Sequence, residues 1–134
     1  VEIKSQQDLL LSASHDPLYN FLRLALTELQ ARAYNNAKEK GWHEEKRSPG
    51  EFLCLMHSEL SEALEEIRGG RDVNDLYFNP EKPLKPEGVP AELADCIIRI
   101  FDFCGAHQIN LAEALLLKMT YNSTRDWRHG GKAL

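Results

Sequence analysis

A chain of 134 residues, 43% hydrophobic and 28% charged, has the size and composition of one globular domain with one core. Its 16 Lys and Arg against 21 Asp and Glu leave a net charge of −5, which disfavours non-specific binding to nucleic acid or to an anionic membrane. No apolar run approaches the roughly 20 residues that span a bilayer, and the start lacks a signal-peptide pattern, so a cytoplasmic protein is expected.

Residues 1–15 carry no readable signal and count as a leader segment. Asp16 and Pro17 then make an N-cap and first-turn pair, and Leu18, Leu22, Leu26, Leu29 and Ala33 recur at helical spacing until Gly41. Ser48 and Pro49 repeat the start signal, and Leu53, Met56, Leu60, Leu64 and Ile67 form a seam that stops at Gly69 and Gly70. Residues 69–90, rich in proline and without a sustained period, read as a connection, either a lid or a crossover. Leu93, Ile97, Ile100 and Cys104 mark a third helix that ends near Gly105. Asn110 with Glu113 opens a fourth, with Leu111, Leu115 and Met119 expected to face inward. Residues 126–134 read as an extended tail. No segment alternates with period two, so the expected fold is all-α, a four-helix bundle. Cys54, Cys96 and Cys104 fall inside apolar helical patterns, away from redox or metal-ligand spacings, and are expected to be reduced core residues.

Two helices carry matched acidic pairs. Glu59 and Glu62 on the second, and Glu92 and Asp95 on the third, each stand three residues apart and so share a helix face. The stripe Phe52, Leu55, Glu59, Glu62 begins apolar and turns acidic, which puts these glutamates at the border of a buried face. Four carboxylates converging between packed helices repel one another and lose hydration, a cost that cations remove. An all-oxygen donor set suits Mg²⁺, with Mn²⁺ as its substitute, and the missing Glu-x-x-His disfavours a di-iron site.

On the fourth helix Leu111, Leu115, Lys118, Asn122 and Arg125 share one face, so an apolar stripe turns basic and is suited to phosphate oxygens. Trp42, just past Gly41, is a candidate for stacking on a nucleobase, with His43 beside it. The run His129, Gly130, Gly131, Lys132 offers backbone amides and a cation that would close over a phosphate, although it lacks the P-loop pattern. The remaining histidines are expected at the surface or as caps. No serine or cysteine has a nucleophile's context.

The pair E-x-x-E (Glu59, Glu62) and E-x-x-D (Glu92, Asp95), followed in order by K-x-x-x-N-x-x-R (Lys118, Asn122, Arg125) and the His-Gly-Gly-Lys tail, resembles the MazG-like all-α nucleoside triphosphate pyrophosphohydrolases over residues 38–132. The spacer between Glu62 and Glu92 is long for that family. The resemblance implies hydrolysis of a nucleoside triphosphate between its α and β phosphates. It implies Mg²⁺ on Glu59, Glu62, Glu92 and Asp95, with Glu59 or Glu62 as general base. It further implies phosphate contacts from Lys118 and Arg125, an oxygen or base edge met by Asn122, and a homodimer or dimer of dimers. Broad apolar faces that include Ile97, Ile98, Phe101 and Phe103 fit self-association. The alternatives are a non-catalytic metal-binding helical module and a relative of the dUTPases or phosphoribosyl-ATP pyrophosphohydrolases.

Overall fold

The computed structural model describes residues 3–126 and is mostly helical, with one two-stranded sheet. The residues divide into two compact units, 3–29 with 109–126 and 30–108. The His129 to Lys132 run lies outside the described residues.

The first unit holds α1 (Gln6–Ser14), the first part of α2 (Tyr19–Glu39) and α5 (Leu111–Ser123). The leader segment is thus partly helical. Ser5 caps α1 by accepting a hydrogen bond from the Asp8 amide at 3.1 Å. Helix α2 begins later than the Asp16–Pro17 pair suggests, because the Asp16 carboxylate accepts from the Leu18 amide at 2.8 Å and closes a turn first. Helix α5 starts as expected, with Asn110 accepting from the Glu113 amide at 3.2 Å. Its packed face is displaced by one residue from the expected one. Ala112 and Leu116 are buried, whereas Leu115 and Met119 are exposed, because α1 packs on α5 and the small Ala112 and Ala13 side chains permit the approach.

The second unit, 30–108, contains the end of α2, α3 (Pro49–Arg68), β1 (Tyr77–Asn79), β2 (Lys82–Glu87) and α4 (Val89–Ala106). Helix α2 stops in a Schellman arrangement. Gly41 adopts φ +80, its amide donates to the Lys38 carbonyl, and the Trp42 amide donates to Ala37, both at 3.0 Å. Helix α3 starts with a complete capping box. The Ser48 hydroxyl accepts from the Glu51 amide, and the Glu51 carboxylate accepts from the Ser48 amide at 2.6 Å.

The 69–90 connection contains a hairpin that the sequence pattern hides. Strand β1 pairs antiparallel with β2, matching Tyr77 to Glu87 and Asn79 to Lys82, with an irregularity between Phe78 and Asn79. An all-α description is therefore right for most of the chain and wrong for this ribbon. Gly88 follows at φ +104, where an added Cβ would lie 2.1 Å from the Asp75 carbonyl oxygen. It turns the chain from β2 directly into α4.

Helix α3 packs along α4, and β2 also reaches α4. Phe52, Ala63, Val89, Cys96, Phe101 and Cys104 are buried. The contact face of α3 is Phe52, Glu59 and Ala63, not the leucine seam. Leu53, Leu60, Leu64 and Ile67 remain 44% to 53% exposed, as do Leu93, Ile97 and Ile98 of α4 at 45% to 51%. Close approach through small side chains explains this choice, since Ala63 and Cys96 are buried and the Cys96 thiol reaches the Met56 carbonyl at 3.6 Å. Cys54, expected in the core, is exposed on the other side of α3. Aromatic rings close one end of the unit: His43 stacks on Phe52, which also meets Phe103 and His107. Among the described residues no helix is long and apolar enough to cross a membrane.

Candidate metal centre and adjoining cleft

Because α3 and α4 pack through the faces that carry the acidic pairs, Glu59 and Glu92 become buried, at 4% and 6% exposure. Glu62, one turn beyond Glu59, stays exposed. One carboxylate oxygen from each of Glu59, Glu62 and Glu92 falls within 4.8 Å of the others. Asp95 stands one turn beyond Glu92 on α4, close enough to Glu59 for that carboxylate to act on it.

The electrostatics of this group follow from burial. Desolvation raises the Glu92 pKa above its ordinary value of 4.5, and the charges of Glu62, Asp95 and Glu59 add to the rise while Lys85 opposes it. Desolvation raises Asp95 as well, followed by Glu59, with Arg99 and Lys85 acting against them. Lys85 comes from β2, where its ammonium lies 3.5 Å from Glu87. Burial works against the charged ammonium, but Glu87, Glu92 and Asp95 outweigh it and lift the Lys85 pKa. The hairpin thus places a cation near the acidic group.

These donors fit a hard divalent cation. They are all carboxylate oxygens, they converge from two helices, and two of them are buried where an uncompensated negative charge is costly. Among the described residues, Glu59 is the member of the group held in an ion pair, with Arg99 Nε donating to its Oε1. Arg99 was not singled out by the sequence pattern. Its signal is the polar stripe Glu92, Asp95, Arg99, Asp102, spaced three, four and three along α4.

Beside the acidic group lies a cleft of about 210 Å³, lined by Asn36, Trp42, Arg47, Glu59, Asp95 and Arg99 among others. Trp42 is 53% exposed, and the Arg47 guanidinium sits 5.2 Å from its ring centre. The cleft is smaller than the roughly 300 Å³ at which ordinary ligand pockets begin. A second groove shares Trp42, Arg47 and Arg99 with it and continues past Ser48, Glu51 and Cys54. His43, considered beside Trp42 for base contact, is instead turned onto Asp102, with Nε2 to Oδ1 at 2.7 Å. His107 caps α4, with Nδ1 3.0 Å from the Phe103 carbonyl.

Lys118, Asn122 and Arg125 belong to the other unit, where all three are exposed, the first two on α5 and Arg125 just after it. Lys118 lies 5.1 Å from the Tyr121 ring centre and Arg125 5.9 Å. The chain matches no protein-family profile, no curated protein and no solved structure.

Proposed function

We propose that this chain is a MazG-like, Mg²⁺-dependent nucleoside triphosphate pyrophosphohydrolase. The observation that carries the reading is the convergence of Glu59, Glu62 and Glu92 from two packed helices, with Asp95 adjoining and a cleft opening on the same group. Burial of Glu59 and Glu92 supports it, because acids kept for solubility stay in water.

Glu59, Glu62, Glu92 and Asp95 would hold the metal. Bound there, Mg²⁺ would supply charge neutralisation for the phosphates and make water a better nucleophile. The chain's own groups do the rest. Glu62, exposed and outside any ion pair among the described residues, accepts the proton of the attacking water. Water adds to the α-phosphorus, the bond to the bridging oxygen breaks, and pyrophosphate leaves with the electron pair. Trp42 stacks on the base at the cleft mouth. The resemblance assigns phosphate contacts to Lys118 and Arg125 and an oxygen or a base edge to Asn122, all three of the other unit. The proposal carries with it the family's four-helix bundle and a homodimer or dimer of dimers that covers apolar residues such as Ile97 and Ile98. A cytoplasmic setting suits a nucleotide substrate.

Phosphorus NMR of reactions with ribo- and deoxynucleoside triphosphates and Mg²⁺ tests the bond that is cut. Nucleoside monophosphate with pyrophosphate is the expected product pair. Diphosphate with orthophosphate would point to cleavage at the γ phosphate and contradict the assignment. A folded protein that binds Mg²⁺ without turnover would instead be a metal-binding module.

A further inference from the structure

The buried Glu59 carboxylate is already committed. Arg99 Nε donates to Oε1, the same carboxylate that contributes an oxygen to the cluster with Glu62 and Glu92. Arg99 also lines both the cleft and the groove that continues from it, beside Trp42 and Arg47 in each. It is therefore a residue of the acidic group and of the open cleft at once. Its side chain is 34% exposed against 6% for Glu59, so the guanidinium has a solvent side to turn toward.

We propose that Arg99 is an internal counter-ion that competes with a divalent cation for Glu59, and that it turns into the cleft to bind substrate phosphate once Glu59 takes the cation. The inference rests on the metal-binding reading above. A carboxylate at 4% exposure needs a positive partner, and a guanidinium is a weakly hydrated cation suited to that place. Arg99 takes one oxygen of Glu59 and leaves the other, so a divalent ion there would meet a carboxylate already partly neutralised and a guanidinium that repels it. A guanidinium released from Glu59 stays in a cleft that Arg47, Asp95 and Asp102 also line; with Asp95 given to the metal and Asp102 paired with His43, the two guanidiniums are short of an anion. A phosphate group answers that need. Metal and nucleotide binding then favour each other, because each stabilises the same position of Arg99.

This makes an unusual demand on an arginine beside a proposed metal site. Removing its charge should improve metal binding and impair nucleotide binding. Mn²⁺ binding is followed by electron paramagnetic resonance on the full chain without nucleotide, in the native protein, Arg99→Gln and Arg99→Lys. Helical circular dichroism and melting with and without Mn²⁺ are measured in parallel.

The expected result is Mn²⁺ bound roughly tenfold more tightly by Arg99→Gln, the size expected when one competing charge-assisted hydrogen bond is removed. Arg99→Lys retains a competing charge and stays within about threefold of native. Arg99→Gln also melts lower than native without metal and recovers when Mn²⁺ is saturating. Binding of a non-hydrolysable α,β-imido triphosphate with Mn²⁺ present weakens by at least about tenfold in Arg99→Gln, the loss of one guanidinium-to-phosphate contact. If native protein binds Mn²⁺ but folded Arg99→Gln binds it equally or more weakly, the counter-ion proposal is wrong while the metal site stands. If native protein binds no Mn²⁺, the metal-site reading itself fails, and this proposal with it. Should Arg99→Lys match Arg99→Gln in Mn²⁺ affinity, the residue acts through packing and not through charge, which also overturns the proposal.

Discussion

Nε2 of His43 lies 2.7 Å from Oδ1 of Asp102, a pairing between residues 59 apart that fastens the segment after α2 to the C-terminal part of α4. Both side chains are largely covered, at 20% and 14% exposure, and the imidazole sits between Tyr34 and Phe52. The segment held in this way carries Trp42 and Arg47 into the cleft wall. Asp102→Asn and His43→Ala should each cost about 1–3 kcal/mol, the range for losing a covered hydrogen bond with a charged member. Urea denaturation measures this. Trp127→Phe, as a background that leaves Trp42 the sole indole, reports the local effect, and Trp42 should become more accessible to acrylamide in both variants. Unchanged stability together with unchanged quenching would mean that the pair fastens nothing.

Gly105 approaches α2 so closely that an added Cβ would lie 2.5 Å from Cβ of Tyr34. Neither atom can rotate away, since both are fixed to backbone. Gly105→Ala should therefore destabilise the second unit by about 1–3 kcal/mol, the usual cost of overpacking, despite the gain in helix propensity. Thermal melting checks the sign, and a variant as stable as native would show that the α2 to α4 approach is looser than described.

The helices that announce themselves do so through end chemistry. The Ser48, Pro49 and Glu51 pattern and the Asn110 and Glu113 pair each satisfy orphan amides locally, so they are readable without knowledge of the packing. Which face is buried was less legible. On α3 the leucines outnumber the residues that pack, yet Phe52, Glu59 and Ala63 face α4, because close helix approach is decided by small side chains from both partners. The hairpin escaped because β1 is three residues long and β2 carries Pro83 and Pro86, which are tolerated in a two-stranded ribbon without signalling a strand. The acidic residues were legible as two matched pairs. Arg99 and Asp102 continue the stripe of Glu92 and Asp95, but a polar stripe leaves no mark in the apolar periodicity, and the Glu59 to Arg99 contact joins residues 40 apart.

Raised carboxyl pKa values set a pH dependence whose sign can be worked out. Glu92 and Asp95 hold their protons more tightly in the folded chain than at their ordinary values of 4.5 and 3.8. The native state therefore binds more protons than the unfolded state between those values and the raised ones, and stability falls as pH rises through that interval. Below it, both states are protonated and the two groups contribute no penalty. Above it the penalty is complete. Without metal, the contribution of these two groups should decline from about pH 4 upward, and Glu92→Gln should flatten the decline. Added Mg²⁺ should stabilise most on the high-pH side, with proton release on binding. Melting temperatures across pH, with and without Mg²⁺, measure this. A stabilisation by Mg²⁺ that is the same at acid and neutral pH would contradict it.

Trp42 provides a flat, half-exposed ring at the cleft mouth, with Arg47 beside it. Trp42→Ala should raise KM for the preferred nucleotide by roughly tenfold, while Trp42→Phe keeps most of the affinity, as expected when a stacking face is removed or merely reduced. On the proposed function the turnover number should move by less than about threefold, since stacking on the base would be shared by ground and transition states. Steady-state kinetics separate the two constants. A fall in kcat with KM unchanged would place Trp42 in the chemistry and not in base binding.

In the proposed function the carboxylates of α3 and α4 form the metal-dependent centre for pyrophosphate release. Its most direct test is pyrophosphate release from a panel of ribo- and deoxynucleoside triphosphates with Mg²⁺, comparing native protein with Glu59→Gln and Asp95→Asn, each shown to be folded by circular dichroism. The native chain should release pyrophosphate with one base favoured, and both variants should lose at least about a hundredfold, the scale expected when a metal ligand is removed. No release by the folded native protein with Mg²⁺ or Mn²⁺ on any nucleotide, or full activity in both variants, would contradict it.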